Sequence, residues 1–304
     1  MKNILIFSGS SNIPLAKSIA KKLATPVGAL ELSRFSDGEV RPWINEDVRD
    51  KTVFVVQSFS KPMDEYIMEM ALIGDAVRRC APKRTIGVIP YMGYARQDKQ
   101  HRIGEPISAR VIAKFLEASG FNEVISVDLH NDAIVGFFQI PVSHLSAMPV
   151  LVDAVKALNL KNPAVVSPDV GGVRRARNAV YRMDADLIVM EKKRFLDRKD
   201  VSENFQIIGD VSGKTAIILD DIISTGGTIA NSAQALRDAG AASVVVCASH
   251  AVLSGDAKKI LEKAPIDRLI VTDTITHAPS EYPRGTQVVS IAPNVASAIS
   301  KIIL

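Results

Sequence analysis

One stretch of the chain, residues 216–228, most constrains what it can fold into. It begins with an apolar run over 216–219, which is typical of a strand buried on both faces of a parallel sheet. Two adjacent carboxylates, Asp220 and Asp221, end that strand, and a helical pattern begins after the small, hydroxylated loop that follows. A strand, such a loop and a helix N-terminus together predict a phosphate-binding site, because glycines let the backbone approach the anion and the helix dipole attracts it.

The side chains of this stretch indicate which kind of phosphate compound it binds. Amide and hydroxyl donors come from the loop residues Ser224, Thr225, Gly226, Gly227 and Thr228. The carboxylates before them accept hydrogen bonds, as vicinal sugar hydroxyls require, so we expect a sugar phosphate. The alternative is a turn that merely caps a helix, where Asp, Ser and Thr are common. A Walker A loop is excluded, because no Gly-Lys-Ser/Thr follows the glycines.

Strand-like runs alternate with helical patterns along nearly the whole chain, for example a strand at 4–7 and another at 215–220. This alternation predicts an α/β fold with parallel sheets that are covered by helices on both faces. The 304 residues suffice for two domains, and the two halves look like versions of one unit joined near 141–149. We therefore predict an N-terminal domain over 1–145 and a C-terminal domain over 146–304.

Charge and cysteine content exclude several classes of function. The balance of 37 basic against 33 acidic residues is too mild to predict nucleic acid binding. The two cysteines, Cys80 and Cys247, have no metal-ligand spacing and are too few for a disulfide framework. No apolar segment approaches membrane-spanning length, and the apolar run at 4–7 is too short for a signal peptide. We expect a cytoplasmic protein that does not bind membranes.

Two segments of the N-terminal half are candidates for binding an anion. Residues 91–106 form a long polar segment rich in cations, and structureless segments of that length are usually functional or disordered. Its cations suit a polyphosphate, although a solvated surface loop explains them equally well. Residues 34–39 contain Ser-Asp-Gly, which by itself predicts a tight turn.

Three further positions follow predicted strands. His130 follows Asp128 at the carboxyl end of a strand, where open α/β sheets bind ligands, although a lone histidine is more often structural. The Asp169-Val170-Gly171-Gly172 segment suits magnesium and pyrophosphate, because magnesium prefers oxygen ligands; an ordinary helix cap at Asp169 is the alternative. The charge run 191–194 follows the strand predicted at 187–190, and such runs are usually solvated.

In order and spacing, these motifs resemble those of the ribose-phosphate pyrophosphokinase family, and the 220–228 loop resembles the ribose-5-phosphate loop of type I phosphoribosyltransferases. The resemblance runs nearly end to end, through residues 7–10, 34–39, 94–98, 128–130, 136–138, 167–172, 220–228 and 253–255. It implies two tandem type I phosphoribosyltransferase-like domains, each a mainly parallel sheet flanked by helices. The N-terminal domain would bind ATP, and the C-terminal domain would bind ribose 5-phosphate.

The resemblance also implies an activity. Such an enzyme transfers pyrophosphate from ATP to O1 of ribose 5-phosphate with Mg²⁺, giving 5-phosphoribosyl 1-pyrophosphate and AMP for nucleotide biosynthesis. One alternative is a phosphoribosyltransferase that uses a nucleobase, which leaves the motifs of the first half without a role. Another is a non-catalytic regulatory homologue, and the presence of Lys192 and His130 speaks against it.

Individual roles follow from the same resemblance. Lys192 would be catalytic, and His130 and Asp169 would bind magnesium. Ribose 5-phosphate would be held by Arg194, Asp220, Asp221, Ser224, Thr225, Gly226, Gly227 and Thr228, and pyrophosphate by the loop of Asp169, Gly171 and Gly172. ATP would be held by Phe35, Asp37, Gly38, Glu39, Arg96, Gln97 and Asp98. The resemblance further implies self-association, as a dimer or hexamer, with the ATP site shared between subunits.

Overall fold

The computed structural model describes residues 3–193 and 204–303. Their packing forms two compact units. The first comprises the described residues of Met1–Ala147, Asp273–Thr276 and Ser290–Leu304, and the second those of Met148–Thr272 and His277–Val289. The domain limits predicted from the sequence stay a prediction.

Helices and strands alternate along most of the described chain, as the sequence predicts, apart from two runs of three consecutive strands. Those up to residue 147 are β1 Ile4–Ser8, α1 Ile13–Lys22, β2 Leu30–Arg34, β3 Val40–Ile44, β4 Thr52–Val56, α2 Met63–Arg79, β5 Arg84–Ile89, α3 Ser108–Ala118, β6 Glu123–Val127, a 3-10 helix at Asp132–Phe137 and β7 Val142–Leu145. The remainder are α4 Met148–Lys156, β8 Pro163–Ser167, α5 Val173–Met183, β9 Asp186–Lys193, β10 Asn204–Ile208, β11 Thr215–Ile223, α6 Gly227–Asp238, β12 Ser243–Ala251, α7 Ala257–Lys263, β13 Arg268–Thr272, a 3-10 helix at Pro279–Glu281, β14 Thr286–Val289 and α8 Ala292–Ile302.

The first unit is built on a parallel sheet with the strand order β1-β4-β5-β6-β7. Every residue of β4 is buried, which explains its uninterrupted apolar sequence. Val53 and Val55 belong to a hydrophobic core with Phe7, Phe59 and Met70. Strands β2 and β3 form a separate antiparallel hairpin.

The second unit is built on a sheet with the strand order β10-β9-β8-β11-β12-β13-β14, in which only the pairing of β10 with β9 is antiparallel. From β8 the chain passes to β9 on one side, and it later continues from β11 to β12 on the other. The strand order therefore reverses between β8 and β11. Open α/β sheets bind ligands at the carboxyl ends of the strands at such a reversal. Both units confirm the predicted α/β fold with mainly parallel sheets.

The segment predicted to join the two halves differs from expectation. Strand β7 lies within 141–149 and pairs in parallel with β6, for example Ser126 with His144. Its four residues are all partly buried and do not alternate between apolar and polar, so they give a weak strand signal in the sequence. The last helix, α8, packs against α1 and thus belongs to the first unit.

One buried side chain of the second unit leads to a stability prediction. The hydroxyl of Ser232, on α6, is fully buried and meets no hydrogen-bond partner within the described part of the chain. Because such a group loses its hydration without compensation, Ser232→Ala is expected to raise the free energy of unfolding by about 1 kcal/mol. Urea unfolding measures this change.

A matched control uses a buried hydroxyl of the same unit that does have an acceptor. The hydroxyl of Thr272 donates to the Ser249 carbonyl at 2.6 Å, so Thr272→Val is expected to destabilise the unit by about 1 kcal/mol or more. A loss of stability in both variants would contradict the prediction for Ser232.

Candidate active site

Asp220 and Asp221 lie inside strand β11 and do not end it. Beyond the acids, Ile222 still pairs with His250 and Ile223 with Ala251 of β12. The strand prediction that ended at Asp220 was therefore wrong by three residues, because pairing with a neighbouring strand prolongs β11. As a result, the backbone around both carboxylates is held in the sheet.

The loop after β11 turns directly into helix α6. Gly226 caps the helix with a left-handed backbone, φ +79°. A Cβ atom at this position would lie 3.0 Å from Cγ of Leu261, so only glycine fits without strain. The first turn of α6 then presents amides that have no acceptor within the helix, beside the exposed side chains of Thr225 and Thr228.

A neighbouring loop supports this turn. The amide of Ser254 donates to the carbonyl of Ser224 at 2.9 Å, and the amide of Leu253 donates to the carbonyl of Ile223 at 3.1 Å. The sequence alone assigns no role to the Leu253-Ser254-Gly255 motif. In the structure, its amides fix the backbone of the predicted phosphate loop.

The two carboxylates of β11 face a cation from helix α5. Nη1 of Arg175 lies 3.3 Å from Oδ1 of Asp221 and 3.6 Å from Oδ1 of Asp220. The Asp220 carboxylate also accepts the Asp221 amide at 2.8 Å. Burial raises the pKa of Asp220 well above its usual range, the hydrogen bond and negative charge of Asp221 raise it further, and Arg175 opposes both effects.

The predicted pyrophosphate loop follows the adjacent strand. Strands β8 and β11 pair directly, for example Val166 with Ile218. Oδ1 of Asp169 accepts the Gly172 amide at 2.8 Å, and the Ser167 hydroxyl donates to the Asp169 carbonyl at 2.7 Å. The helix cap at Asp169 that the sequence offers as the alternative is not seen: the N-cap of α5 is Gly172, without a side-chain bond, and Asp169 caps only the turn before it and stays exposed. The predicted sugar-phosphate loop, 224–228, and this loop flank the point where the strand order reverses.

In the first unit, the 34–39 segment forms the turn of the β2–β3 hairpin. The Phe35 amide donates to the Glu39 carbonyl and the Gly38 amide to the Phe35 carbonyl, both at 2.9 Å. Gly38 has φ +97°, which explains the glycine. The ring of Phe35 is 51% exposed, with the guanidinium of Arg41 5.6 Å from its centroid. The turn predicted from Ser-Asp-Gly is confirmed.

The long cationic segment is an ordered loop between β5 and α3. The Ser108 hydroxyl donates to Oε1 of Gln97 at 2.6 Å, and Oη of Tyr94 donates to Asp64 at the start of α2 at the same distance. Oε2 of Glu105 accepts the amides of His101 and Arg102, both at 3.1 Å. The loop therefore has fixed internal contacts, while Arg96 and Gln97 are exposed.

His130 is exposed just beyond β6, where the backbone is held by a second histidine. Nε2 of His144 accepts the Leu129 amide at 2.8 Å, so the ring is neutral with its proton on Nδ1. Burial lowers the pKa of His144, while Asp128 opposes that shift. The Asn131 amide group donates to Asp98 at 2.8 Å, which brings the end of β6 beside the cationic loop.

Comparison with known proteins shows similarity along the whole chain. A family model described as the N-terminal domain of ribose phosphate pyrophosphokinase matches residues 4–120, and one described as a phosphoribosyl synthetase-associated domain matches residues 189–303. The ribose-phosphate pyrophosphokinase of Fusobacterium nucleatum is 42% identical over 302 residues, which cover 99% of this chain and 95% of that protein. The chain belongs to the ribose-phosphate pyrophosphokinase family.

Further relatives agree with this assignment and confirm the resemblance seen in the sequence. The ribose-phosphate pyrophosphokinase of Bacillus cereus is 43% identical over 300 residues, with 99% of this chain and 94% of that protein covered. The crystal structure of phosphoribosylpyrophosphate synthetase from Mycobacterium smegmatis superposes with a TM-score of 0.92, at 37% identity and with 99% of each chain covered. Both units of this chain therefore have the fold of the ribose-phosphate pyrophosphokinase family.

Two predicted site residues of this ribose-phosphate pyrophosphokinase family member, Lys192 and Arg194, lie close to or beyond residue 193, where the first described range ends. Lys192 is the penultimate residue of β9, where its backbone pairs with Phe205 of β10. The strand predicted at 187–190 is thus longer than expected and includes part of the charge run. Arg194 lies outside the described residues.

Sequence reasoning missed two residues that the structure joins to candidate sites. Neither Arg175 nor His144 receives a role from the sequence. The available signal for Arg175 was its position in the first turn of the helix that follows the predicted pyrophosphate loop. For His144 no local signal existed, because its partner Leu129 lies 15 residues earlier in the chain.

Two features are absent from residues 3–193 and 204–303. Those residues contain no cluster of three or more His, Cys, Asp or Glu side chains placed to hold a metal ion. Within the same ranges, no helix is both long and apolar enough to cross a membrane.

Proposed function

We propose that this protein transfers pyrophosphate from ATP to O1 of ribose 5-phosphate, giving 5-phosphoribosyl 1-pyrophosphate and AMP for nucleotide biosynthesis. The observation that carries the proposal is the match to ribose-phosphate pyrophosphokinases over 99% of the chain, which includes both units. A phosphoribosyltransferase that uses a nucleobase is not favoured, since it leaves the first unit without a role.

The second unit would hold the acceptor sugar. We assign the ribose hydroxyls to the carboxylates of Asp220 and Asp221, which accept hydrogen bonds, and the 5-phosphate to the amides and hydroxyls of 224–228. Arg194 would add a cation. The O1 hydroxyl attacks the β-phosphorus in line while AMP leaves, so the protein acts mainly by positioning and by neutralising charge.

The first unit would hold ATP. The exposed ring of Phe35 suits stacking on adenine, with Asp37, Gly38 and Glu39 of the same turn beside it. Arg96 and Gln97 would contact the phosphates from the ordered loop, and Asp98 would support them through its bond with Asn131.

Magnesium fits the residues that are present. In proteins it binds through one or two carboxylates together with substrate phosphates, and keeps several waters. Asp169, exposed beside Gly171 and Gly172, fits that preference, and no larger ligand cluster is required. His130 is the second proposed ligand. When bound, the ion would neutralise phosphate charge during transfer.

The direct test is incubation of the protein with ATP, magnesium and ribose 5-phosphate, followed by nucleotide and sugar phosphate analysis. We expect AMP to form in step with consumption of the sugar phosphate. Formation of ADP alone would indicate an ordinary kinase and contradict the proposal, and the absence of any product would favour the regulatory homologue.

A single substitution tests the sugar-phosphate loop. Thr228→Ala removes an exposed hydroxyl from the first turn of α6. Because a hydrogen bond to a charged group contributes about 1.5–3 kcal/mol, we expect affinity for ribose 5-phosphate to fall at least tenfold. Titration calorimetry measures it, and ATP affinity is the internal control. Equal weakening of both ligands would contradict the assignment.

We also propose self-association, as a dimer or hexamer, with the ATP site shared between subunits. The β2–β3 hairpin supports this, because it exposes two large aromatic side chains. Phe35, in the turn, is 51% exposed, and Trp43, on β3, is 55% exposed. Sedimentation velocity tests the assembly. A cytoplasmic location, without nucleic acid or membrane partners, stays part of the proposal.

A further inference from the structure

Arg175 joins two parts of the second unit that are distant in sequence. It lies in the first turn of α5, three residues after Gly172 of the pyrophosphate loop, and its guanidinium reaches the carboxylate of Asp221, 46 residues further along. The side chain is 24% exposed, while those of Asp220 and Asp221 are 19% and 9% exposed. The contact is therefore largely screened from water.

Two adjacent carboxylates in such a place repel each other. At low exposure that repulsion favours protonation of one of them. The charged groups that face Asp220 are Asp221 of its own strand and Arg175 of α5. From the neighbouring strand β12, His250 is buried opposite Ile222, two residues along. Among the residues that the structure describes, Arg175 is thus the cation beside Asp220 that opposes the repulsion.

The proposed function requires the ionised form of this pair. A ribose hydroxyl donates its proton in a hydrogen bond, so the carboxyl oxygen that meets it has to accept. A protonated carboxyl group offers a donor of its own and accepts less well. Arginine suits the task, because its guanidinium stays charged at every working pH and can face two carboxylates at once.

We propose that Arg175 is a positioning residue that keeps Asp220 and Asp221 ionised and oriented as acceptors for the hydroxyls of ribose 5-phosphate. This inference rests on the proposed function. It assigns Arg175 no contact with substrate, and it predicts that the residue acts on the pH dependence of sugar binding more than on the maximal affinity.

The direction of that pH dependence follows from the charges. Burial and Asp221 raise the pKa of Asp220, and Arg175 lowers it. Without Arg175 the pKa rises further, so the acid limb of the profile of kcat/KM for ribose 5-phosphate moves to higher pH. An opposite charge at this separation changes a carboxyl pKa by about 1–3 units, so we expect a shift of about 1 pH unit or more.

The experiment compares the wild-type full chain with Arg175→Gln, Arg175→Lys and Arg177→Gln. Arg177 lies exposed on the same helix and is the matched control. We expect the acid limb to move in Arg175→Gln and to stay in place in Arg175→Lys and Arg177→Gln, with the KM for ATP unchanged in all three. A fall of kcat/KM for ribose 5-phosphate by the same factor at every pH in Arg175→Gln, with the acid limb in place, would overturn the inference. So would an acid limb that moves as far in Arg175→Lys as in Arg175→Gln.

Calorimetric titration with ribose 5-phosphate alone, at several pH values, separates this inference from the proposed function. A wild-type protein that releases no AMP contradicts the proposed function. The pH dependence of sugar phosphate binding still tests Arg175, because it requires no turnover. If Arg175→Gln does not fold, Asp221→Asn supplies the test by removing the repelling charge: the acid limb is then expected to move to lower pH, and an unmoved limb would overturn the inference.

Discussion

Replacement of Lys192 by alanine is expected to lower turnover by on the order of 10²–10³-fold, the cost of removing one preorganised stabilising donor in other enzymes. Negative charge on the transferring group rearranges during the reaction, and a positioned ammonium stabilises that arrangement more than the ground state. The loss should therefore appear in kcat, while the Michaelis constants for ATP and ribose 5-phosphate stay within several-fold. Steady-state kinetics at saturating magnesium measures both.

The neighbouring residue provides the control. Lys193 follows Lys192 in the same charge run and ends β9. Lys193→Ala is expected to change kcat far less than Lys192→Ala. If the two substitutions have the same effect, the run is an ordinary solvated surface and Lys192 is not catalytic.

Replacement of Asp220 by asparagine is expected to change activity and stability in opposite directions. A hydrogen bond to a charged group contributes about 1.5–3 kcal/mol, so kcat/KM for ribose 5-phosphate should fall by roughly 10- to 100-fold. At pH 8 the same variant should unfold with a free energy about 0.5–2 kcal/mol higher, the usual size of a stabilising substitution, because asparagine buries no charge beside Asp221.

The stability gain has a defined pH window. In the folded protein the pKa of Asp220 lies above its unfolded value of 3.8. Over the window between the two values the folded state holds a proton that the unfolded state has released, so the wild-type free energy of unfolding falls as pH rises. Asp220→Asn lacks that group, and its advantage should therefore vanish below pH 3.8 and grow above it. Urea unfolding across this range measures the difference, and a gain that is equal at all pH values would contradict the explanation.

The sequence alone was sufficient wherever the deciding information is local. The apolar run before Asp220 predicts a buried parallel strand, and β11 is one. The small loop before Thr228 predicts a turn into a helix, and α6 begins there, with Gly226 in the left-handed conformation that such a turn requires. Periodicity, turn chemistry and glycine geometry act within a few residues, so they can be read along the chain.

The family was also accessible from the sequence, because its motifs are short and keep their order. The roles of single residues within those motifs stay proposals. Asp169 illustrates the reason: its carboxylate caps the following turn through the Gly172 amide, and it is also the exposed group that we propose as a magnesium ligand. One residue type serves both purposes, so its identity cannot separate them.

Only the tertiary structure decided what depends on contacts between distant segments. The four-residue strand β7 is defined by its pairing with β6, and the extension of β11 to Ile223 by its pairing with β12. Likewise, α8 is assigned to the first unit by its packing on α1. The strand order that reverses between β8 and β11, and the guanidinium of Arg175 against two carboxylates about 46 residues away, come from the way the chain closes on itself. No pattern within a sequence window specifies such contacts, because their free energy is gained only when both segments are already in place.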